Sequence, residues 1–199
     1  MNGDRIEGSV RRAYLLAGRA SRLPGKFQLP IDGIPVVERL AQRLSRAGLE
    51  VVLVSVFPLE VRGTRTLSDP FDAGPLGGLE VARRDADGPF FLFGADMPFV
   101  DPRAVDALRD AFDGRSVVPV DASGAWAVLH AIYADLELPR ILRLRRGGAG
   151  LRDLVRELDA AGRVRFLSGG EVPEASLVDI DTPADYRRAL GRGGARADK

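Results

Sequence analysis

The sequence predicts a single α/β domain with three layers, in which helices cover both faces of a mostly parallel, mixed β-sheet. Short, continuously apolar runs, typical of strands buried on both faces, alternate with segments of helical periodicity. The links between them are short, as in βαβ units. The 199 residues show no repeat or long linker and suit one domain. We expect residues 1–10 to form a flexible leader, 11–191 the domain and 192–199 a flexible tail.

The composition excludes several classes of function. The formal net charge of +1 gives no overall field that would attract nucleic acid or a membrane. The absence of cysteine excludes disulfides, thiolate metal sites and cysteine catalysis. No apolar run approaches the roughly 20 residues that span a bilayer, and the polar N-terminus shows no signal peptide. We therefore expect a soluble, cytoplasmic protein that binds neither nucleic acid nor membrane.

The first half of the chain is predicted to alternate between strands and helices. The run of β-branched residues after Gly48 is the clearest strand, and Gly48 itself is expected to end the first helix. Asp101 and Pro102 are suited to the start of the third helix. Strands are predicted over 13–17, 51–56, 64–67 and 90–94, and helices over 35–47, 75–84 and 102–112.

In the second half of the chain the pattern is looser. Residues 125–133 are expected to be extended and to form an antiparallel strand at an edge of the sheet. Thr182 is a good N-cap and Pro183 fits the first turn, which predicts a final helix ending at Leu190. The other predictions are strands over 116–120 and 164–167, helices over 136–144 and 151–158, and an extended piece over 177–181.

The loop from Gly18 to Lys26 follows the first predicted strand and is a candidate phosphate-binding loop. Its small residues let backbone N–H groups approach an anion, and Arg19, Arg22 and Lys26 supply positive charge. Lys26 and Lys199 are the only lysines among 29 basic residues. Because lysine is a compact charge on a slim stem, we expect Lys26 to occupy a narrow functional site rather than the open surface.

Two carboxylates are candidate metal ligands. Asp96 follows the Phe-rich strand, and a carboxylate at a strand's carboxyl end suits Mg²⁺, which binds one or two carboxylates together with waters and substrate phosphates. Helix capping is the alternative, but Asp101 already provides the cap. Asp181 is a candidate second ligand, with a plain turn residue as the alternative and Asp179 as the nearest competitor.

Three glycines between Gly74 and Gly78 surround a predicted helix start. Backbone without side chains can approach a flat ring closely, so this stretch is a candidate nucleobase platform, with tight helix–sheet packing as the alternative. Ser55 and Asp69 could hydrogen-bond a base or ribose, and a turn cap is the alternative for Asp69. His130 is expected to be a hydrogen-bonded core histidine, and Trp126 a packing residue.

These stretches resemble one family. Residues 16–23, LAGRASRL, resemble the LxxGxGTRM signature of sugar-nucleotide-type nucleotidyltransferases, with Lys26 at the place of the following lysine. Residues 74–79, GPLGGL, resemble the GPLxGL motif of molybdenum cofactor guanylyltransferases, and residues 93–99 resemble their strand ending in D-x-P-F. The resemblance runs from about residue 12 to 190. It implies a Rossmann-like fold of the nucleotide-diphospho-sugar transferase type.

The resemblance also implies the chemistry. A terminal phosphate of molybdopterin would attack the α-phosphate of GTP and release pyrophosphate, with Mg²⁺ as cofactor and, as further partners, transiently bound molybdoenzymes or cofactor-biosynthesis proteins. Arg22, Lys26 and Asp96 are the implied catalytic residues, and Asp96 and Asp181 the implied metal ligands. The implied nucleotide-binding residues are Leu16, Ala17, Gly18, Arg19, Ser21, Lys26, Ser55, Asp69, Gly74, Pro75, Leu76 and Gly78.

Two alternatives stay open. The same fold could act on another nucleotide or acceptor, such as CTP with molybdopterin, cobinamide phosphate, a sugar phosphate or a phospholactate. The residues that face the acceptor are expected within 121–170. The chain could instead be a non-catalytic nucleotide-binding relative.

Overall fold

The structure is a computed structural model that describes residues 10–168 and 170–193. The strands in this part of the chain are β1 (Arg12–Ala17), β2 (Pro30–Ile31), β3 (Ile34–Pro35), β4 (Glu50–Ser55), β5 (Arg65–Ser68), β6 (Phe90–Gly94), β7 (Ser116–Pro119), β8 (His130–Tyr133) and β9 (Val164–Leu167). The helices are α1 (Val36–Arg46), α2 (Gly74–Asp85), α3 (Pro102–Ala111), α4 (Leu138–Arg146), α5 (Leu151–Ala160) and α6 (Pro183–Gly193).

Seven strands form one sheet in the order β5-β4-β1-β6-β8-β7-β9. The four strands β5, β4, β1 and β6 are parallel neighbours, and β8 runs antiparallel to both β6 and β7. The predicted mixed, mostly parallel sheet is thus confirmed. The prediction of an edge strand within 125–133 is wrong, because β8 lies inside the sheet. Its four residues are fully buried and pair with β6, and Ile132 also pairs with Val117 of β7, whereas most of residues 125–129 lie outside the strand ladders.

The strands bury alternate side chains in two separate cores, as the twofold period of a strand requires. On one face Leu15 and Phe91 pack with residues of α1 and α3. On the other face Tyr14 and Leu92 pack with residues of α2, α4 and α5. Since both faces are covered, the buried strands are continuously apolar. The three-layer architecture is therefore the one expected from the sequence.

A third, small core connects the N-terminal loop to the C-terminal segment. It contains Ile31 of the β2–β3 hairpin, Val36 of α1, Ile180 and Ala189 of α6. The Tyr186 hydroxyl of α6 donates to the Pro30 carbonyl at 2.6 Å. This core fixes the segment before α6 next to the chain that leads from the candidate phosphate loop into α1.

Residues 177–181 are not a strand of the sheet. A 3₁₀ turn over Glu174–Leu177 leads into an irregular segment. Its anchor is the Ile180 N–H, which donates to the Asp96 carbonyl at 3.0 Å. Asp181 is thereby held beside the end of β6. The sequence alone left open whether Asp181 lies near Asp96 or is a plain turn residue.

The predicted leader and tail lie mostly outside the described residues, which begin at Val10 and end at Gly193. Val10 itself is only 3% exposed and belongs to the core. At the other end, α6 includes Arg192, the first residue of the predicted tail. In the part of the chain that the structure describes, no helix has the length and apolarity needed to cross a membrane.

Candidate active site

The carboxyl ends of β1, β4, β5 and β6 meet at one edge of the sheet, because these strands are parallel neighbours. Backbone hydrogen bonds continue the ladder beyond the strands: Ala95 N–H donates to Leu16 O at 3.0 Å and Asp69 N–H to Ser55 O at 2.8 Å. The loops that leave the strands are therefore fixed at their first residues. An edge of this kind is where open α/β sheets bind ligands.

A pocket of about 190 Å³ opens at this edge between the phosphate-loop candidate and the start of α2. Val54, Phe27, Gly94 and Leu129 contribute to its wall. The remaining lining residues were all predicted from the sequence as site residues: Leu16, Ala17, Gly18, Arg19, Lys26, Asp69, Gly74, Pro75, Gly78 and Asp96. Folding thus collects three separate sequence stretches around one pocket.

Lys26 lies at the centre of the charged groups of the site. Its ammonium contacts the Asp96 carboxylate and lies 2.7 Å from Asp181 Oδ1, and its side chain is only 9% exposed. The Arg22 guanidinium pairs with the other oxygen of Asp181 at 2.5 Å. The cationic loop and the acid at the end of β6 therefore face the same point, as the sequence interpretation requires.

The electrostatic environment keeps the Lys26 side chain charged. Burial alone would lower the pKa of Lys26, but the charges and hydrogen bonds of Asp96 and Asp181 more than offset it, and the pKa is raised. Lys26 therefore remains an ammonium at physiological pH. Loss of hydration raises the pKa of the nearby Asp179 carboxyl, and the negative charges of Asp96 and Asp181 raise it further.

The carboxylates of Asp96 and Asp181 fit a divalent metal ion. Their oxygens converge on one cation, the Lys26 ammonium, which shows that both can reach a single positive charge. Within residues 10–168 and 170–193, no group of three or more Asp, Glu, His or Cys forms a closed metal cage. Two carboxylates with open positions suit an ion that completes its shell with waters and phosphates.

The glycines at the start of α2 allow close packing against the strand ends. Gly74 has a φ of 61°, in the left-handed region that glycine adopts without strain. A Cβ on Gly77 would lie 3.1 Å from an Asp69 carboxylate oxygen. Asp69 is buried and accepts the Phe71 N–H at 2.9 Å, which is a turn cap, yet it also lines the pocket. The structure thus shows the tight packing that was the alternative for this stretch, and Gly74 and Gly78 also line the pocket. The nucleobase platform stays a prediction.

Replacing Gly78 by alanine is expected to weaken binding of the nucleotide that the sequence resemblance implies about tenfold, or ~1.4 kcal/mol. The added Cβ would lie 2.8 Å from Leu16 Cδ2, so Leu16, which lines the pocket, must shift. A titration with GTP measures the change. Gly88→Ala is the matched control, since its Cβ would meet no atom within 4 Å. Equal GTP affinity of the two variants would contradict the prediction.

Several predicted residues do not face this pocket. The Ser55 hydroxyl donates to the Phe57 carbonyl at 2.7 Å and is used within its own turn. Leu76 is 1% exposed and packs in the core under α2. Ser21 lines a separate groove with Phe27 and Phe57. Arg19 does line the pocket, where it forms an ion pair with Asp72 on the loop before α2.

The His130 side chain is buried as expected, but its imidazole is not hydrogen-bonded. Both ring nitrogens lack a partner in the described part of the chain, and the ring packs edge-on against Phe93 at 4.9 Å between centroids. Burial lowers the pKa of His130 to about 3. The imidazole is therefore neutral and enclosed.

A second pocket lies beside the first. Acceptor-facing residues were expected from the sequence within 121–170, but none of them was named individually. This second pocket has a volume of about 300 Å³ and shares Asp96 with the first pocket. Trp126, expected to be a packing residue, is only partly buried and lines it together with Arg152 and Asp181. The signal in the sequence was weak: Trp126 is the only tryptophan, and Arg152 follows the glycine-rich stretch 147–150.

Cations and carboxylates gathered at the carboxyl ends of parallel strands are the arrangement expected of a nucleotidyltransferase. A family model described as a MobA-like NTP transferase domain matches residues 13–162, and the chain belongs to this family. Nucleotidyltransferases of this family generally use a divalent metal.

Relatives and solved structures resemble nearly the whole chain. A "probable molybdenum cofactor guanylyltransferase" of Methanosarcina mazei is 29% identical, with 92% of this chain and 91% of the relative covered. One of the same description from Natronomonas pharaonis is 23% identical, with 92% and 98% covered. The crystal structure of molybdopterin-guanine dinucleotide biosynthesis protein A from Archaeoglobus fulgidus has a TM-score of 0.72 at 19% identity, covering 92% and 99%. This structure shares the fold.

Proposed function

We propose that this chain is a Mg²⁺-dependent guanylyltransferase that transfers GMP from GTP to the terminal phosphate of molybdopterin and releases pyrophosphate. The main support is the meeting of Lys26, Asp96 and Asp181 at the edge of a pocket that ends in the GPLGGL helix start. The relatives described as probable molybdenum cofactor guanylyltransferases support the same reaction.

The proposed reaction needs no covalent intermediate with the protein. An oxygen of the molybdopterin phosphate attacks the α-phosphorus of GTP, and the bond from that phosphorus to the β-phosphate oxygen breaks. Pyrophosphate carries away the electron pair. Positioning and charge neutralisation supply the catalysis in such transfers. Lys26 and Arg22 would neutralise the triphosphate and the charge that develops on the leaving group.

Asp96 and Asp181 would hold Mg²⁺, which neutralises phosphate oxygens when it is bound. In the free protein both carboxylates are paired with Lys26. Phosphate oxygens offer the Lys26 ammonium an alternative partner. If Lys26 turned to the triphosphate, its two carboxylates would become accessible to the metal ion. Binding of the nucleotide would therefore favour binding of the ion.

The base would lie against the start of α2, where Gly74 and Gly78 leave backbone accessible. Asp69 would accept hydrogen bonds from the N–H groups of guanine. Leu16, Ala17 and Gly18 would line the phosphate side, with Arg19 moving from Asp72 to a phosphate. We assign no base contact to Ser55, whose hydroxyl is used within its turn.

The proposed substrates are small molecules, and we place the reaction in the cytoplasm. The near-zero net charge gives nucleic acid no electrostatic attraction. As macromolecular partners we propose molybdoenzymes or cofactor-biosynthesis proteins in transient contact.

The test is release of pyrophosphate by the purified chain with molybdopterin, Mg²⁺ and one nucleotide at a time. We expect release with GTP, with the guanine dinucleotide as second product, and much slower release with CTP, UTP or ATP. A preference for CTP or UTP would remove the guanylyl assignment. Binding of GTP without release for any acceptor would instead favour a non-catalytic relative.

A further inference from the structure

We propose that the second pocket binds the acceptor, with Trp126 stacking on a fused, flat heterocycle and Arg152 pairing with an acceptor phosphate. The identity of the acceptor rests on the proposed function, whereas the assignment of the pocket rests on its own geometry. Asp96 lines both pockets. A ligand that fills the second pocket therefore reaches the point where the nucleotide phosphates are expected.

The indole of Trp126 is held rigidly. It stacks on Phe166 with ring centroids 5.0 Å apart and an interplanar angle of 27°. Its backbone forms a bridge with Val120, and the next residue, Ala127, donates its N–H to Pro119 O at 2.8 Å. Phe166 is not part of the pocket wall, but Trp126 is. A supported aromatic surface at a pocket wall is well suited to stack on a flat ring.

Arg152 is the only cationic side chain among the residues that line this pocket; the other charged ones are Asp96, Asp121, Asp179 and Asp181. It lies exposed in the first turn of α5. In the described part of the chain it forms no ion pair, unlike Arg22 and Lys26 on the nucleotide side. Its guanidinium fork is thus available for a phosphate, which arginine binds with two parallel hydrogen bonds.

Asp121 lies near Arg152 without forming an ion pair with it: hydrogen bonds from Ser123 and Ala125 are the main cause that lowers the pKa of Asp121, and the Arg152 charge adds to it. Its Oδ1 accepts the N–H groups of Ser123 and Ala125 at 2.8 Å and 2.9 Å and the Ser123 hydroxyl at 2.6 Å. This carboxylate therefore holds the turn before Trp126 in place. Asp179, exposed at the pocket, is a suitable acceptor for ring N–H groups of a heterocycle.

The chain offers a direct probe of this pocket, because Trp126 is its only tryptophan. We expect molybdopterin to quench the intrinsic fluorescence by more than half in a saturable way, in the presence of EDTA and without turnover. GTP alone should change it by less than a tenth. N-acetyltryptophanamide corrects for absorption by the ligand. Unchanged fluorescence at ligand concentrations that saturate turnover would overturn the assignment.

Arg152→Met tests the phosphate contact. We expect a tenfold or larger rise in both the KM and the fluorescence Kd for molybdopterin, with the KM for GTP unchanged. The matched control is Arg156→Met, one turn further along α5, where the guanidinium pairs with Asp153 outside the pocket. Equal acceptor KM values for both variants would overturn the assignment.

Failure of the pocket and failure of the proposed function give different results. Guanylyl transfer that proceeds normally in Arg152→Met, with silent fluorescence, overturns the pocket and leaves the function intact. Saturable quenching that weakens in Arg152→Met supports the pocket, even if pyrophosphate release shows a nucleotide other than GTP.

Discussion

Replacement of Asp96 by asparagine is expected to lower kcat/KM at least a hundredfold, which corresponds to ~3 kcal/mol of transition-state stabilisation. The side chain lies at the end of β6, where it lines both pockets and contacts Lys26. Asparagine keeps the shape and removes the charge. The carboxylate pair then loses the charge of its more buried member, since the Asp96 side chain is 16% exposed and that of Asp181 31%.

The structure explains why neither Asp179 nor Asp181 can take over the role of Asp96. A Cβ on Gly94 would lie 2.6 Å from Asp96 Oδ1, so the carboxylate folds back over the end of its own strand. The Asp96 carbonyl is fixed by the Ile180 N–H. Asp179 and Asp181 approach from that segment and line only the second pocket, whereas Asp96 lines both pockets.

Initial rates of pyrophosphate release with varied GTP and Mg²⁺ measure the effect. Asp110→Asn, an exposed position on α3, is the matched control and should retain full activity. Asp96→Asn with more than a tenth of the parent activity at saturating Mg²⁺ would show that the metal is held elsewhere.

Replacement of Lys26 by methionine is expected to have two separable effects. Loss of the buried ammonium should lower kcat at least a hundredfold, about 3 kcal/mol, because a preorganised cation is missing from the phosphate site. It should also destabilise the metal-free protein by about 3 kcal/mol, since the Asp96 carboxylate loses its counter-charge and Asp181 keeps only that of Arg22. For a domain of this size this is roughly 6–12 °C in Tm.

The loss of stability in Lys26→Met distinguishes a metal-binding carboxylate pair from an ordinary ion pair. In EDTA the Tm of Lys26→Met should fall, and millimolar Mg²⁺ should restore much of the loss while raising the parent Tm only slightly. The reason is that the divalent ion binds the vacated carboxylates without competition from an ammonium. Calorimetry with and without Mg²⁺ measures both values.

Lys26→Arg is the companion variant. It keeps a positive charge, but the broad guanidinium does not fit a position where the lysine side chain is 9% exposed. We expect most of the stability to return and most of the activity to stay lost. Full activity of Lys26→Arg would contradict a narrow phosphate site. An equal increase in Tm with Mg²⁺ in the parent and in Lys26→Met would contradict the idea that the ammonium and the metal ion occupy the same position.

The elements that the sequence predicts well are those with a local signal. Continuous apolar runs define β1, β4 and β6, and the glycine and proline at the start of α2 are a local feature of the chain. Because parallel strands place their carboxyl ends at one edge, the common location of Lys26, Asp69 and Asp96 followed from that pattern.

The features that escaped prediction depend on distant contacts. β8 is a short strand after an extended stretch, and only its pairing with β6 and β7 places it inside the sheet. Whether Asp181 reaches Lys26 depends on the packing of Ile180, and whether Trp126 faces a pocket depends on Phe166. Ser55 follows a strand end as expected, but its own turn takes up the hydroxyl. Neither periodicity nor spacing carries this information.

The pairing of Lys26 with Asp181 joins positions 155 residues apart. On a ribosome, the first strands and the phosphate loop emerge long before α6 and the segment that precedes it. Until that last segment docks, the loop has only one of its two carboxylate partners. The charged centre is therefore complete only after the segment before α6 has been synthesised and has docked.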